Sequence, residues 1–253
     1  MDTLPEEIQS LLMGIFNDVN VTLKMMVLVS KDWHQIVSRY AHKNYINRVL
    51  SCNDIARAGY LTVAKWAYFS GYKWNENACQ FAAFGGHIEV LKWLDLRKKC
   101  GLTTLSSEPT WDRFDPRLDL YGNSNRKDVE VCANAALGGH LEVLKWTREK
   151  YFNWDWKTCA NAAMNGHLEV LKWARMNGCP WNWRTCANAA MNGHLEVLKW
   201  ARGKYCPWDY RTCEYATNYH HLEVLLWARQ NGCQWNHATQ TVAEAKWPNL
   251  FKN

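Results

Sequence analysis

The stretch Asp155 to Trp181, DWKTCANAAMNGHLEVLKWARMNGCPW, returns almost unchanged as NWRTCANAAMNGHLEVLKWARGKYCPW from Asn182 to Trp208. His140, His167, His194 and His221 are equivalent and follow one another at intervals of 27 residues. Self-similarity at a fixed period of this length marks a solenoid of stacked supersecondary units. Within the unit, Asp155 can cap a helix N-terminus, and Cys159, Ala162 and Ala163 then share one helical face. Those small side chains let a neighbouring backbone come close. Asn165-Gly166 ends that helix, and His167 or its neighbour opens a second one bearing Leu168, Val170, Leu171, Trp173 and Ala174. Only Glu169, Lys172 and Arg175 are left to face water, so this helix must touch its partner helix and both adjoining repeats.

Duplication accounts for the unusual composition. Among the 16 tryptophans, Trp74, Trp154, Trp181, Trp208 and Trp235 share one repeat position, and Trp66, Trp93, Trp146, Trp173, Trp200 and Trp227 share another. Of the 10 cysteines, Cys52, Cys79, Cys132, Cys159, Cys186 and Cys213 occupy one small-residue core site, where a thiol behaves as a small hydrophobe. The opening Met1-Asp2-Thr3-Leu4-Pro5 is unlike a signal peptide, so reduced thiols and an intracellular location, cytoplasmic with access to the nucleus, are expected. No apolar run approaches the roughly 18 residues of a membrane span, and no membrane association is expected. The formal charge of +6 raises the question of nucleic acid. Lys92, Lys145, Lys172 and Lys199 each follow a glutamate by three residues, however, which reads as a solvated helical face rather than a phosphate track.

Residues 1–45 lack the repeat. Leu4-Pro5 precedes the helical stripe Ile8, Leu11, Leu12, Ile15 and Phe16, and a second apolar stretch from Leu23 to Val29 leads through Ser30-Lys31-Asp32 to Trp33, Ile36, Val37 and Tyr40. LPEEIQSLLMGIF followed by LKMMVLVSKDWHQIVSR resembles an F-box. That resemblance implies docking on the Skp-type adaptor subunit of a cullin-RING ubiquitin ligase, with Leu4, Pro5, Ile8, Leu11, Ile15, Leu28, Val29 and Trp33 contacting the adaptor or setting the fold that does. The alternative is that these residues fill a three-helix cap on the solenoid.

The solenoid is expected to span 46–253. Its first repeat, from about Arg48 to Trp74, is decayed: Cys52 is kept, and Tyr60 takes the histidine position. Residues 75–101 restore GGHIEVLKW, and about 102–127 form an insertion rich in Pro, Ser, Asn and Asp, read as a loop or as one degenerate repeat. Regular units follow, and 236–253 form a terminal cap with Gln240 in place of the cysteine and Glu244 on an otherwise small-residue face. The blocks Thr185-Cys186-Ala187-Asn188-Ala189-Ala190 and Asn192-Gly193-His194-Leu195-Glu196-Val197 resemble the ankyrin repeat. The family period is about 33. Here Gly178 to Thr185 is too short for a β-hairpin finger, so the fold class expected is all-α: an N-terminal three-helix F-box followed by an ankyrin-like helical solenoid without long fingers. Shortened repeats joined to an F-box also resemble proteins of large DNA viruses of amoebae.

The residues offer little to catalysis. Compact zinc sites use closely spaced pairs, whereas Cys159 and His167 are separated across an interhelical turn, so no metal is expected. Every notable Cys and His is duplicated, and there is no P-loop, dinucleotide fingerprint or H-E-x-x-H, so neither an enzyme nor a cofactor is expected. The function expected from the resemblances is that of a substrate-recognition subunit of an SCF-type ubiquitin ligase. The alternative is a stand-alone protein-binding scaffold. With Cys159, Ala162 and Ala163 facing the core, Lys157, Asn161 and Met164 fall on the other side, aligned with Arg184, Asn188 and Met191 and with Arg211 and Tyr215. These eight are the candidate target-binding residues. For Asn134, Asn161 and Asn188 the alternative is a bridge between adjacent repeats.

Overall fold

A computed structural model describes residues 52–61, 64, 65, 68, 74, 75, 77–96 and 127–249. The F-box-like segment 1–45 and the insertion, apart from Lys127, lie outside the described residues. Those described form helices and no strand. In chain order they are α1 (Cys52–Ala58), α2 (Asn77–Phe84), α3 (Ile88–Leu96), α4 (Lys127–Leu137), α5 (Leu141–Glu149), α6 (Trp156–Met164), α7 (Leu168–Met176), α8 (Trp183–Met191), α9 (Leu195–Gly203), α10 (Tyr210–Asn218), α11 (Leu222–Gln230) and α12 (His237–Lys246). Each repeat is a helix pair, and the all-α solenoid expected from the periodicity is the architecture found.

The first helices begin as their sequence dictates. Asp155 accepts from the Lys157 amide at 2.8 Å, and Asn182 and Asp209 accept from Arg184 and Arg211 at 3.0 Å. A side-chain cap of this kind stabilises a helix by ~1 kcal/mol. Nine-residue helices remain marginal by themselves, so stacking must supply the rest. Cys159, Ala162 and Ala163 are fully buried, as are their counterparts Cys186, Ala189 and Ala190. Because these side chains are small, α4, α6, α8 and α10 lie closely side by side. The second helices bury Val170, Leu171 and Ala174 but carry half-buried tryptophans between them, and they approach one another far less. The stack is therefore tightest along the row of first helices.

The expectation that Arg175 faces water is corrected. Its guanidinium lies 4.2 Å from the centre of the Trp181 ring and donates to the Cys179 carbonyl. Arg148, Arg202 and Arg229 repeat this over Trp154, Trp208 and Trp235 at 4.2, 4.1 and 4.4 Å. Three of these rings also meet a second-helix tryptophan edge-on, as in Trp181 with Trp200 at 6.0 Å. A chain turn left at the end of each second helix needs its carbonyl satisfied, and the arginine does this while its guanidinium lies over an indole.

Repeats are tied by hydrogen bonds from one unit to the end of the first helix before it. Asn165 Nδ2 donates to the Leu137 carbonyl at 2.8 Å, and Asn192 Nδ2 to that of Met164 at 2.6 Å. His167 Nε2 lies 3.2 Å from the same Leu137 oxygen, and His140 Nε2 lies 3.0 Å from that of Phe84. Each imidazole fills the space above a glycine of the preceding unit: a Cβ built on Gly166, at φ +76°, would come within 2.8 Å of the His194 ring. In the last unit the glycine position is taken by His220, at φ +67°, and Lys246 replaces the asparagine, donating to Asn218 and Thr217 carbonyls at 3.1 and 2.8 Å. On α12, Gln240 bonds Glu244 at 2.8 Å and Glu244 is exposed.

Gly166→Ala and Gly178→Ala separate the two roles of glycine. At Gly178, φ +82° with open space around it, only the backbone strain of about 1–2 kcal/mol is expected. At Gly166 the same strain plus displacement of His194 should lower stability further, as urea denaturation would register. His167 supplies a second expectation. Burial pushes its pKa below the ordinary 6.5, against the pull of the Leu137 carbonyl, and its neighbours His140 and His194 add to the depression. The neutral ring is thus the form the fold favours. Its contribution to stability is complete above the ordinary value and is lost as pH falls through the depressed one. An NMR titration should place the His167 midpoint below 6.5, with a lower value in the folded than in the urea-unfolded protein.

Candidate binding face

The residues in question sit at the start of the first helices, where the caps orient them. Lys157, Arg184 and Arg211 follow the cap residues by two positions and form one column across α6, α8 and α10, each half-buried. Lys157 Nζ bonds Glu130 of the preceding repeat at 2.7 Å. That bond raises the Lys157 pKa, against the opposing effect of burial. Arg211 bonds its own cap residue Asp209 at 2.7 Å. Arg184 has Asn182 at the corresponding place, and among the described residues no carboxylate lies within ion-pair distance of it. Such partly exposed pairs contribute on the order of 0–1 kcal/mol each, so they matter more for local charge than for stability.

Sequence reasoning missed the aromatic half of this column. Trp156, Trp183 and Tyr210 stand immediately before Lys157, Arg184 and Arg211. The Arg184 guanidinium lies 4.7 Å from the Trp156 ring centre and 4.5 Å from that of Trp183. Arg211 lies 4.3 Å from Trp183 and 5.1 Å from Tyr210. The signal was present as an aromatic-cation dipeptide recurring with the repeat. Its contacts reach across repeats and cannot be drawn from one unit.

The other expected contact residues divide. Asn161 Nδ2 donates to the Ala133 carbonyl at 3.1 Å and Asn188 Nδ2 to that of Ala160 at 3.2 Å, so both serve as bridges between adjacent first helices. Asn134 instead bonds the Glu130 carbonyl within its own helix at 2.8 Å. Met164, Met191 and Tyr215 are half-buried on the same helices, toward their other ends. Leu4, Pro5, Ile8, Leu11, Ile15, Leu28, Val29 and Trp33 lie outside the described residues. On the opposite side, between α5 and α7, Lys145, Arg148, Glu149, Trp173 and Asn177 line a shallow open hollow of mixed charge.

The thiols are buried and mostly passive. Burial pushes Cys132 up to about 12, with smaller lowering from Thr147 and Arg148. Desolvation also raises Cys179, whose Sγ donates to the Asp155 carbonyl at 3.4 Å and whose neighbour is Cys159. Cys79 is disulfide-bonded, which departs from the expectation of reduced cysteines. The remaining described cysteines are free thiols. The described residues contain no group of three or more His, Cys, Asp or Glu suited to a metal ion, and no helix among them is long and apolar enough to cross a membrane.

No family model matches the chain, and no curated protein matches it. Among solved structures it is similar to the human ASB11 ankyrin repeat domain, with a TM-score of 0.46 at 14% identity, covering 72% of this chain and 84% of that one. It is also similar to the pentatricopeptide repeat protein PPR10 in complex with an 18-nt psaJ RNA element, with a TM-score of 0.32 at 15% identity. That match covers 93% of this chain and 36% of PPR10. The helix-pair solenoid itself rests on the packing of this chain.

With its pKa at about 12, Cys132 is ionised to only about one part in ten thousand at pH 8. Ellman's reagent should therefore leave Cys132 unlabelled in the folded protein and label it on unfolding in urea. Excess EDTA should not move the melting temperature, and a fall of several degrees would restore the zinc reading.

Proposed function

We propose that the repeat stack is a protein-binding scaffold whose contact face is the first-helix column of Lys157, Arg184 and Arg211 with its flanking aromatics. The observation that carries this reading is the column itself: half-buried Arg and Trp side chains, with the exposed ring of Tyr210 beside them, held in register across three repeats. Arginine and large aromatics are the residues enriched in the cores of protein interfaces. Met164, Met191 and Tyr215 extend the same face along the helices and supply adaptable apolar contact. Asn161 and Asn188 hold the face together rather than touch the partner.

We further propose that the chain is the substrate-recognition subunit of an SCF-type ubiquitin ligase, on the strength of the F-box-like residues in 1–45. That segment would bind a Skp-type adaptor, while the repeats hold a target protein for ubiquitin transfer. The second reading, a scaffold with no ligase link, leaves the repeat face unchanged and differs only in the role of the first 45 residues. A nucleic-acid track is disfavoured because Lys157 and Arg211 already face carboxylates, and a phosphate binder needs several uncompensated cations.

Two variants divide these readings when the tagged full chain is used for affinity capture. Leu4→Ala with Pro5→Ala should remove a Skp-type adaptor from the recovered complex and leave the target bound. Lys157→Glu, Arg184→Glu and Arg211→Glu together should remove the target and leave the adaptor. An adaptor never recovered with the parent chain would eliminate the ligase reading, and a target that survives the triple reversal in a folded protein would eliminate this face.

A further inference from the structure

We infer that Arg184 is the anchor for a carboxylate on an acidic segment of the protein partner, an inference that names the chemistry of the face assigned above and rests on that assignment. Two cations of the column have a carboxylate partner, one from the preceding repeat and one from its own cap, and the third has none. Lys157 has Glu130 at 2.7 Å and Arg211 has Asp209 at 2.7 Å. At the middle step the cap residue is Asn182, which still accepts from the Arg184 amide at 3.0 Å but brings no negative charge. The helix start is therefore preserved and the cation is left uncompensated. Arg184 is half-buried against two indoles, and a bond made beside them counts for more than one at an open surface.

Geometry selects the ligand class. The guanidinium lies over Trp156 and Trp183 at 4.7 and 4.5 Å, and no carboxylate among the described residues takes up its N–H groups. A carboxylate matches a guanidinium edge with two parallel bonds. Single-stranded nucleic acid binds such sites by stacking bases on free aromatic faces. Trp183 already carries both Arg184 and Arg211, at 4.5 and 4.3 Å, so the platform is occupied by the protein's own cations. The flanking indoles and the Tyr210 ring then give apolar contact to whatever side chains lie on either side of the acid. The occupant defined in this way is a peptide segment with an aspartate or glutamate between apolar residues.

The test uses the full chain and a fluorescein-labelled 12-residue peptide of repeated Leu-Asp-Glu, followed by fluorescence anisotropy, with a labelled 12-nucleotide oligouridine in parallel. The parent should bind the peptide in preference to the oligouridine. Arg184→Gln should weaken peptide binding by about tenfold, the size expected for one charge-assisted contact. Asn182→Asp should weaken it by a similar factor, because it supplies internally the carboxylate that the neighbouring repeats possess. Aspartate caps a helix as well as asparagine does, so this variant should melt like the parent. The inference is overturned by preference for the oligouridine, by absence of peptide binding at millimolar concentration, or by equal binding to Asn182→Asp and the parent. If Asn182→Asp still captures the cellular target that the triple reversal loses, the face stands and the anchor falls. If the target survives both, the face falls as well.

Discussion

The open carbonyls at the end of each first helix are the constraint on which the stack depends. A nine-residue helix leaves its last carbonyls without intrahelical donors. This chain satisfies them from the next repeat, with Asn165 and His167 on Leu137 and Asn192 on Met164. In these repeats the following unit completes its predecessor. The same logic explains the final unit, where no following histidine exists: Lys246, in the asparagine's register, donates to Asn218, and His220 stands where the other units keep glycine.

The unequal bulk of the two helices then sets which side chains of adjacent repeats meet. Alanine, cysteine and threonine along the first helices bring their backbones close, while tryptophans hold the second helices apart. Close approach brings Arg184 within reach of Trp156 in the repeat before it, and Arg211 within reach of Trp183. The column of cations and aromatics is a by-product of tight packing: side chains that belong to different units in the sequence become one continuous surface.

Similar economy governs the second-helix side. Arg148, Arg175, Arg202 and Arg229 each satisfy a turn carbonyl and cover an indole, which lets a tryptophan stand at the edge of the stack without exposing its whole ring. These arginines are taken up by the architecture. The number of lysines and arginines therefore overstates what is free to meet a ligand, since the second-helix lysines are paired with glutamates as well.

By itself the sequence determined the helix pair, its caps, its buried face and its period, because these depend on local spacing: Asp155 caps, Cys159 and Ala162 are buried, and Gly166 turns as their neighbours require. It also indicated the cation column at Lys157, Arg184 and Arg211. The tertiary structure decided which members of that column were free. Glu130 reaches Lys157 from another repeat, and Asn161 and Asn188 turn inward to bridge carbonyls rather than outward to a ligand. Arg175, which helical periodicity placed in water, is held on Trp181 because the following turn folds back beneath it. Partners one period away have no signature inside a single unit, and only stacking brings them within bonding distance.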